Sequence, residues 1–195
     1  DNMTNFKNYK YDLLDRMDLK YSIYIGGLDV QYSHDVPYLW TFCFDLTGEV
    51  ISGRTWDDLV SWFEKLEEFG YNADHKLIIY LNDLSQFFHF SKKEVFYDKE
   101  LLAKSPSEIL ICSYRGLEFR DFQAYTEKDI DKLIYINDAN AENYHIKPKA
   151  DKLSYMCVLS EAEFDYSARR VLEMTKAIRA DIDLLYQGAA QHVST

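Results

Sequence analysis

Three strand-like segments follow one another with no helix between them, and this run narrows the folds open to the chain more than any other feature. Residues 20 to 31 read KYSIYIGGLDVQ, rich in β-branched and aromatic residues, and a break follows at His34-Asp35-Val36-Pro37. YLWTFCFDL at 38 to 46 alternates and predicts a second strand; Thr47-Gly48 then turns the chain tightly into EVISGR, the third. Strand, turn, strand, turn, strand is an antiparallel meander. Within the first strand the pair Gly26-Gly27 reads as a kink.

Helical spacing begins next. Thr55-Trp56-Asp57-Asp58 is a capping-box-like start, and Leu59, Trp62, Phe63 and Leu66 repeat at helical intervals until Gly70 stops them. HKLIIYLND at 75 to 83 is a short, continuously apolar run after a helix, which predicts a buried strand parallel to an earlier one. LSQFFHFSKK suits one short helix packed on the sheet. Residues 94 to 122 offer EVFYD, SEILICSY, a turn at Arg115-Gly116 and LEFRDFQAY, two or three short strands that read as a hairpin insertion. Thr126-Glu127-Lys128-Asp129 caps a short helix through Ile134, residues 137 to 152 are the most polar and irregular, and Ser160-Glu161-Ala162-Glu163 begins a long closing helix. Phe164, Val171, Leu172, Met174, Ile178, Ile182 and Leu185 form its expected apolar stripe. This order resembles the core of the α/β ribonuclease H-like fold: a mixed sheet, made of a three-strand antiparallel meander plus a parallel strand, flanked by helices. DnaQ-type 3′-to-5′ exonucleases share it. The expected organisation is a lead-in at 1–19, the ribonuclease H-like domain at 20–188 and a polar tail at 189–195.

Composition narrows the function. The net charge of −11, with Lys and Arg grouped only at Lys92-Lys93, Lys147-Lys149 and Arg169-Arg170, provides no basic stripe for gripping phosphates. Cys43, Cys112 and Cys157 are odd in number and sit in apolar surroundings, so neither a disulfide framework nor a zinc site is expected. No apolar stretch approaches the length of a membrane span, and a reducing cytoplasm is the expected setting.

A two-metal nuclease needs carboxylates around its cations, two of them at alternate positions of the first strand, where both face the same way. Here that pair is Asp29 and Gln31. IYLNDLSQFFHF resembles the second exonuclease motif of protein-primed family B DNA polymerases of phages and plasmids, roughly Tyr-x-His-Asn-Leu-x-Phe-Asp/Glu-x-x-Phe. VFYDKE, ILICSYRGLEFRDFQAY and KLSYMCVLSEAEFDYSARRV follow in that family's order, the last resembling the segment that ends in its third motif, Tyr-x-x-x-Asp-Val. The resemblance runs from about Tyr21 to about Ile182.

Position by position, it implies a dismantled centre. Asp29 keeps the first carboxylate and Gln31 replaces the second. Asn82 falls on the motif histidine, Asp83 on the DNA-binding asparagine, Gln86 on the phenylalanine and Phe87 on the next metal-ligand carboxylate. Tyr166 matches the tyrosine that in the family orients the attacking water, and Arg170 replaces the last aspartate. A guanidinium cannot be deprotonated; it would repel a divalent cation and could pair with Asp29. The expectation is therefore no bound Mg²⁺ or Mn²⁺ and no exonuclease activity. As DNA contacts the resemblance leaves Asn82, Asp83, Phe87, Phe88 and Tyr166, the aromatic rings offering stacking faces for an unpaired base.

Each residue also has a plainer reading. Asp29 is then a strand-end aspartate, Tyr166 one of 16 tyrosines covering a sheet, Arg170 part of a solvated helix face with Arg169, and His89 one member of a packed helix. The resemblance implies an exonuclease-like domain with a structural or DNA-channel role in replication, joined to the polymerase core of a longer DNA-directed DNA polymerase. Single-stranded DNA and a priming terminal protein are its implied partners. A stand-alone ribonuclease H-like binding protein, engaging a basic protein or single-stranded DNA, is the alternative. An active nuclease with ligands relocated to Asp29, Asp83, Glu163 or Asp165 is the third.

Overall fold

The computed structural model describes residues 21–45, 47–91, 101–137 and 161–194, with the side chains of 136, 137, 162 and 186–194 outside the description. The lead-in at 1–19, the EVFYD segment, Cys157, most of the irregular stretch at 137–152, and the lysines at 92–93 and 147–149 lie outside the described residues.

The meander forms as expected. Strands β1 (Tyr21–Ser33), β2 (Val36–Phe44) and β3 (Val50–Gly53) pair antiparallel in sequence order. Helix α1 (Trp56–Glu68) follows, its N-terminus capped by the Thr55 side chain, which accepts from the Asp58 backbone N–H. Leu59, Trp62, Phe63 and Leu66 are its buried face. Strand β4 (Lys76–Leu81) then lies parallel to β1, and helix α2 (Leu84–Ser91) follows it.

Strands β5 (Leu101–Ser105), β6 (Glu108–Tyr114) and β7 (Leu117–Asp121) extend the same sheet. The order is β3-β2-β1-β4-β7-β6-β5, with β7 parallel to β4 and the β5–β6 hairpin at the edge. This seven-stranded mixed sheet flanked by helices is a ribonuclease H-like fold. Strand β7 stops at Asp121, earlier than the LEFRDFQAY pattern predicts. The Asp121 carboxylate accepts from the Ala124 and Leu84 backbone N–H groups, which starts helix α3 (Phe122–Thr126) and ties it to α2. The Thr126–Asp129 stretch closes α3 and also caps the next helix, as expected. Glu127 turns left-handed, and the Asp129 carboxylate accepts from Asp131 N–H to begin helix α4 (Ile130–Asn137), three residues longer than expected.

Period-two alternation assigns the two sheet faces. Tyr24, Leu28, Trp40, Phe42 and Phe44 face α1 and α2, whereas Ile25 and Cys43 face α4 and the closing helix α5 (Glu161–Ser194). Gly26 and Gly27 belong to this alternation, and β1 keeps its register with β2 and β4 through both of them. A Cβ at Gly26 would lie 2.7 Å from the Phe42 ring on one face; at Gly27 it would lie 2.7 Å from Thr175 Cγ2 and 3.1 Å from the Val171 carbonyl oxygen of α5 on the other. The glycine therefore lets α5 cross β1 at backbone contact. Further along, Arg179 Nε donates to the buried Asp45 carboxylate, whose other oxygen accepts from Ile25 N–H at 3.1 Å.

Val171, Met174 and Ile178 are buried, as the stripe predicts, but Leu185 is 75% exposed. The helix runs on through Ser194. Cys43 and Cys112 are buried free thiols, and burial pushes the Cys43 thiol up to about 12. Among the described residues no helix is long and apolar enough to cross a membrane.

Because its Cβ would meet backbone as well as side chain, Gly27→Ala should overpack the α5 crossing and destabilise the fold by about 1–3 kcal/mol. Urea unfolding should show a lower midpoint at unchanged slope.

Candidate functional site

The cluster sits where β1 and β4 end, beside α2, α4 and α5. Asp29 and Gln31 share the α5 face of β1, as their spacing requires. The α5 crossing at Gly27 sets Ser167 and Arg170, three residues apart and so on one helix face, over Asp29.

Asp29 is 5% exposed, and both its oxygens accept hydrogen bonds. Arg170 Nε donates to Oδ1 at 2.8 Å, while Ser167 Oγ and Gln31 Nε2 each donate to Oδ2 at 2.7 Å. Gln31 therefore does the reverse of what a second carboxylate would do. Its amide donates to Asp29, turning a like-charge pair into a bonded one. Behind Ser167 stands Thr41, fully buried on β2, whose hydroxyl lies 2.8 Å from Ser167 Oγ and 3.1 Å from its carbonyl oxygen.

Arg170 is buried, contrary to the solvated-face reading, and it spans two carboxylates. Its Nη1 donates to Asp131 Oδ1 of α4 at 2.6 Å and to Tyr166 Oη at 2.8 Å. Tyr166 in turn donates to Asp131 Oδ1 at 2.8 Å, and its ring lies 5.2 Å from the guanidinium carbon. Burial pulls the Arg170 pKa down, yet Asp29, Tyr166 and Asp131 together raise it above the ordinary value, so the charge is permanent. Burial, with the Asp131 and Asp29 charges, pushes Tyr166 up to about 12 against the opposing Arg170. At neutral pH it is a phenol that donates, not an anion.

A cleft of about 350 Å³ opens beside this cluster, lined by Asp29, Gln31, Tyr32, Asn82, Asp83, Phe87, Asp131, Tyr166 and Arg170 among others. Asn82 is half-buried, and its side-chain oxygen has no hydrogen-bond partner. Asp83 is exposed and accepts from Gln86 N–H at 3.1 Å, so it caps α2. Phe87 is 1% exposed, edge-on to Trp56 with centroids 5.5 Å apart and packed on Phe119 at 5.4 Å. It belongs to the core and offers no open stacking face. Phe88 is half-buried outside the cleft lining. Of the five expected DNA contacts, Asn82, Asp83 and Tyr166 reach the cleft with polar groups.

Three carboxylates, Asp29, Asp83 and Asp131, meet one guanidinium here, so the lining is net acidic. Among the described residues no group of three or more His, Cys, Asp and Glu side chains is gathered as a metal would need. The donor set differs from what a two-metal centre needs: Asp29 already accepts three hydrogen bonds, and a fixed cation sits against it. Sequence reasoning missed Ser167, Thr41 and Asp131. Ser167 was findable from its helical spacing to Arg170; the loop that delivers Asp131 left no signal.

Replacing the Gln31 amide by a carboxylate should break this balance. Gln31→Glu loses a donor and sets like charges together, for a cost of about 1–3 kcal/mol. The crowded carboxyl pair holds a proton more tightly folded than unfolded, so its apparent pKa rises. The deficit is then full at neutral pH and shrinks as pH falls toward the ordinary Glu value of about 4.3. Urea unfolding of both proteins across this range checks the sign; a deficit independent of pH would refute it.

No protein-family model matches this chain, and no curated protein matches it in sequence. Solved structures do. Phi29 DNA polymerase complexed with primer-template DNA and incoming nucleotide substrates aligns with a TM-score of 0.57 at 10% identity, over 83% of this chain and 31% of that one. The same polymerase complexed with single-stranded DNA aligns at 0.58 and 8% identity, over 83% and 31%. This chain thus spans less than a third of the polymerase chains it resembles, and at such identity what they share is the fold.

Proposed function

We propose that this chain is a catalytically silent exonuclease-like domain related to DNA polymerases, with a structural role in replication. One observation carries the reading. Asp29, the only remaining carboxylate of the expected nuclease set, accepts hydrogen bonds from Gln31, Ser167 and Arg170 on both oxygens, with the Arg170 charge against it. The Mg²⁺ site is lost in this reading because each substitution supplies Asp29 with a donor or removes another ligand. The likeness to phi29 DNA polymerase supports a polymerase-related setting, in which the domain packs on a polymerase core within a longer chain.

The net acidic cleft favours the structural over the DNA-gripping form of the role. Asp83 and Asp131 face the opening, while the one guanidinium is already paired, so a phosphate entering here meets more negative than positive charge. Shaping the channel wall fits better than holding a strand by its backbone. The same acidity favours, as a second reading, a stand-alone domain that engages a basic protein partner.

Incubation of the protein with an end-labelled single-stranded oligonucleotide and Mg²⁺ or Mn²⁺ tests the silent centre. The expected result is an unshortened oligonucleotide, identical for wild type and Asp29→Ala. Digestion that disappears in Asp29→Ala would overturn the proposal and return the chain to the active nucleases.

A further inference from the structure

The two carboxylates on Arg170 are held unequally. The Asp29 side chain is 6% exposed and three donors fix it, whereas the Asp131 side chain is 53% exposed. Asp131 is bound through Oδ1, which accepts from Arg170 Nη1 at 2.6 Å and from Tyr166 Oη at 2.8 Å. Two donors converging on one anionic oxygen, one of them a guanidinium, is how a protein holds a phosphate or carboxylate ligand. Here the ligand comes from the chain itself, on an eight-residue helix. The buried side chains of α4 among those described are Ile130 and Ile134, and α4 follows Glu127, a left-handed residue with φ 58°. A half-exposed ion pair adds little stability, and a short element held this way opens at less cost than the whole fold.

We propose that Asp131 is an autoinhibitory contact: it fills an oxyanion site made by Arg170 Nη1 and Tyr166 Oη, and local opening of α4 yields that site to a phosphate oxygen. Opening changes the cleft in two ways. It withdraws one of three carboxylates from the lining, and it turns an edge of the guanidinium toward the cleft while Nε stays on Asp29. Closed, the cleft repels a phosphate; open, it presents one charged and one phenolic donor. The phosphate is either free or part of a strand backbone. This regulation rests on the reading of the cleft as a silent channel wall, and it makes any contact of that wall with a strand conditional on α4.

Amide hydrogen exchange read by mass spectrometry, and binding of a labelled oligothymidylate read by fluorescence anisotropy at low salt, test it together. Both are done in EDTA. In wild type the α4 amides should exchange by local opening, ahead of those of β1, and the oligothymidylate should speed them about threefold or more. An equal response to millimolar inorganic phosphate supports a free-phosphate site; a response to the oligonucleotide alone supports a strand backbone. Tyr166→Phe, which leaves α4 unaltered, should speed exchange in α4 and not in β1. Asp131→Ser and Asp83→Ser each remove one cleft charge, and serine keeps the α2 cap, but only the first releases Arg170. Asp131→Ser should bind the oligonucleotide about tenfold more tightly than wild type, and Asp83→Ser about threefold or less. Wild-type α4 amides that exchange only with global unfolding, or that ignore both probes, overturn the proposal, and so do equal affinities of the two serine variants. None of these outcomes touches the silent centre, which stands or falls on oligonucleotide digestion with Mg²⁺ or Mn²⁺.

Discussion

The approach of α5 to β1 at Gly27 sets the rest of the site. A helix can rest its backbone on a strand only where the strand carries no side chain, and here a single Cβ would meet both Thr175 and the Val171 carbonyl. From that contact the helical repeat carries Ser167 and Arg170 onto Asp29 one turn away, and Arg179 onto Asp45 two turns the other way. Both pairs tie α5 to the sheet with buried charges. Such pairs add little net stability, because desolvation offsets their attraction, but they penalise any arrangement that separates them. They act as register pins for the helix.

Within that frame the substitutions work together. A nuclease centre gathers like charges and depends on cations to hold them. In the proposed reading, an amide donor stands where one carboxylate is expected, a phenyl ring packed on Trp56 and Phe119 stands at another, and a guanidinium at a third. Each change is costly by itself, since it leaves either a repelled charge or a missing ligand. Together they close a network in which Asp29 accepts three bonds and Arg170 gives three to Asp29, Asp131 and Tyr166. In the proposed reading this network stands where an ion would, and the cleft lining stays acidic.

Much of this was legible before the fold was known. The meander, α1 and β4 follow from alternation, a capping threonine and a short continuous apolar run, all local signals. Arg170 beside Asp29 followed from the resemblance and from the charge itself. What stayed hidden was set by long-range packing. The Gly26-Gly27 pair read as a kink because its sequence cannot show that each glycine makes room on a different face. LEFRDFQAY read as one strand because Asp121 looks like a strand residue until its carboxylate meets Ala124 and Leu84. Asp131 carried no motif; a left-handed turn at Glu127 places it. Leu185 fitted the apolar stripe, yet the sheet gives it nothing to pack against.

Asp29 and Arg170 form one buried unit, where the proposed reading expects a metal centre, and a double-mutant cycle measures that unit directly. Unfolding free energies of wild type, Asp29→Asn, Arg170→Met and the double variant yield the interaction between the two side chains, free of their separate packing. The account predicts an interaction energy of about 1–3 kcal/mol, with the double variant less damaged than the sum of the singles. Additivity within about 0.5 kcal/mol would contradict it and return Arg170 to an ordinary helix residue.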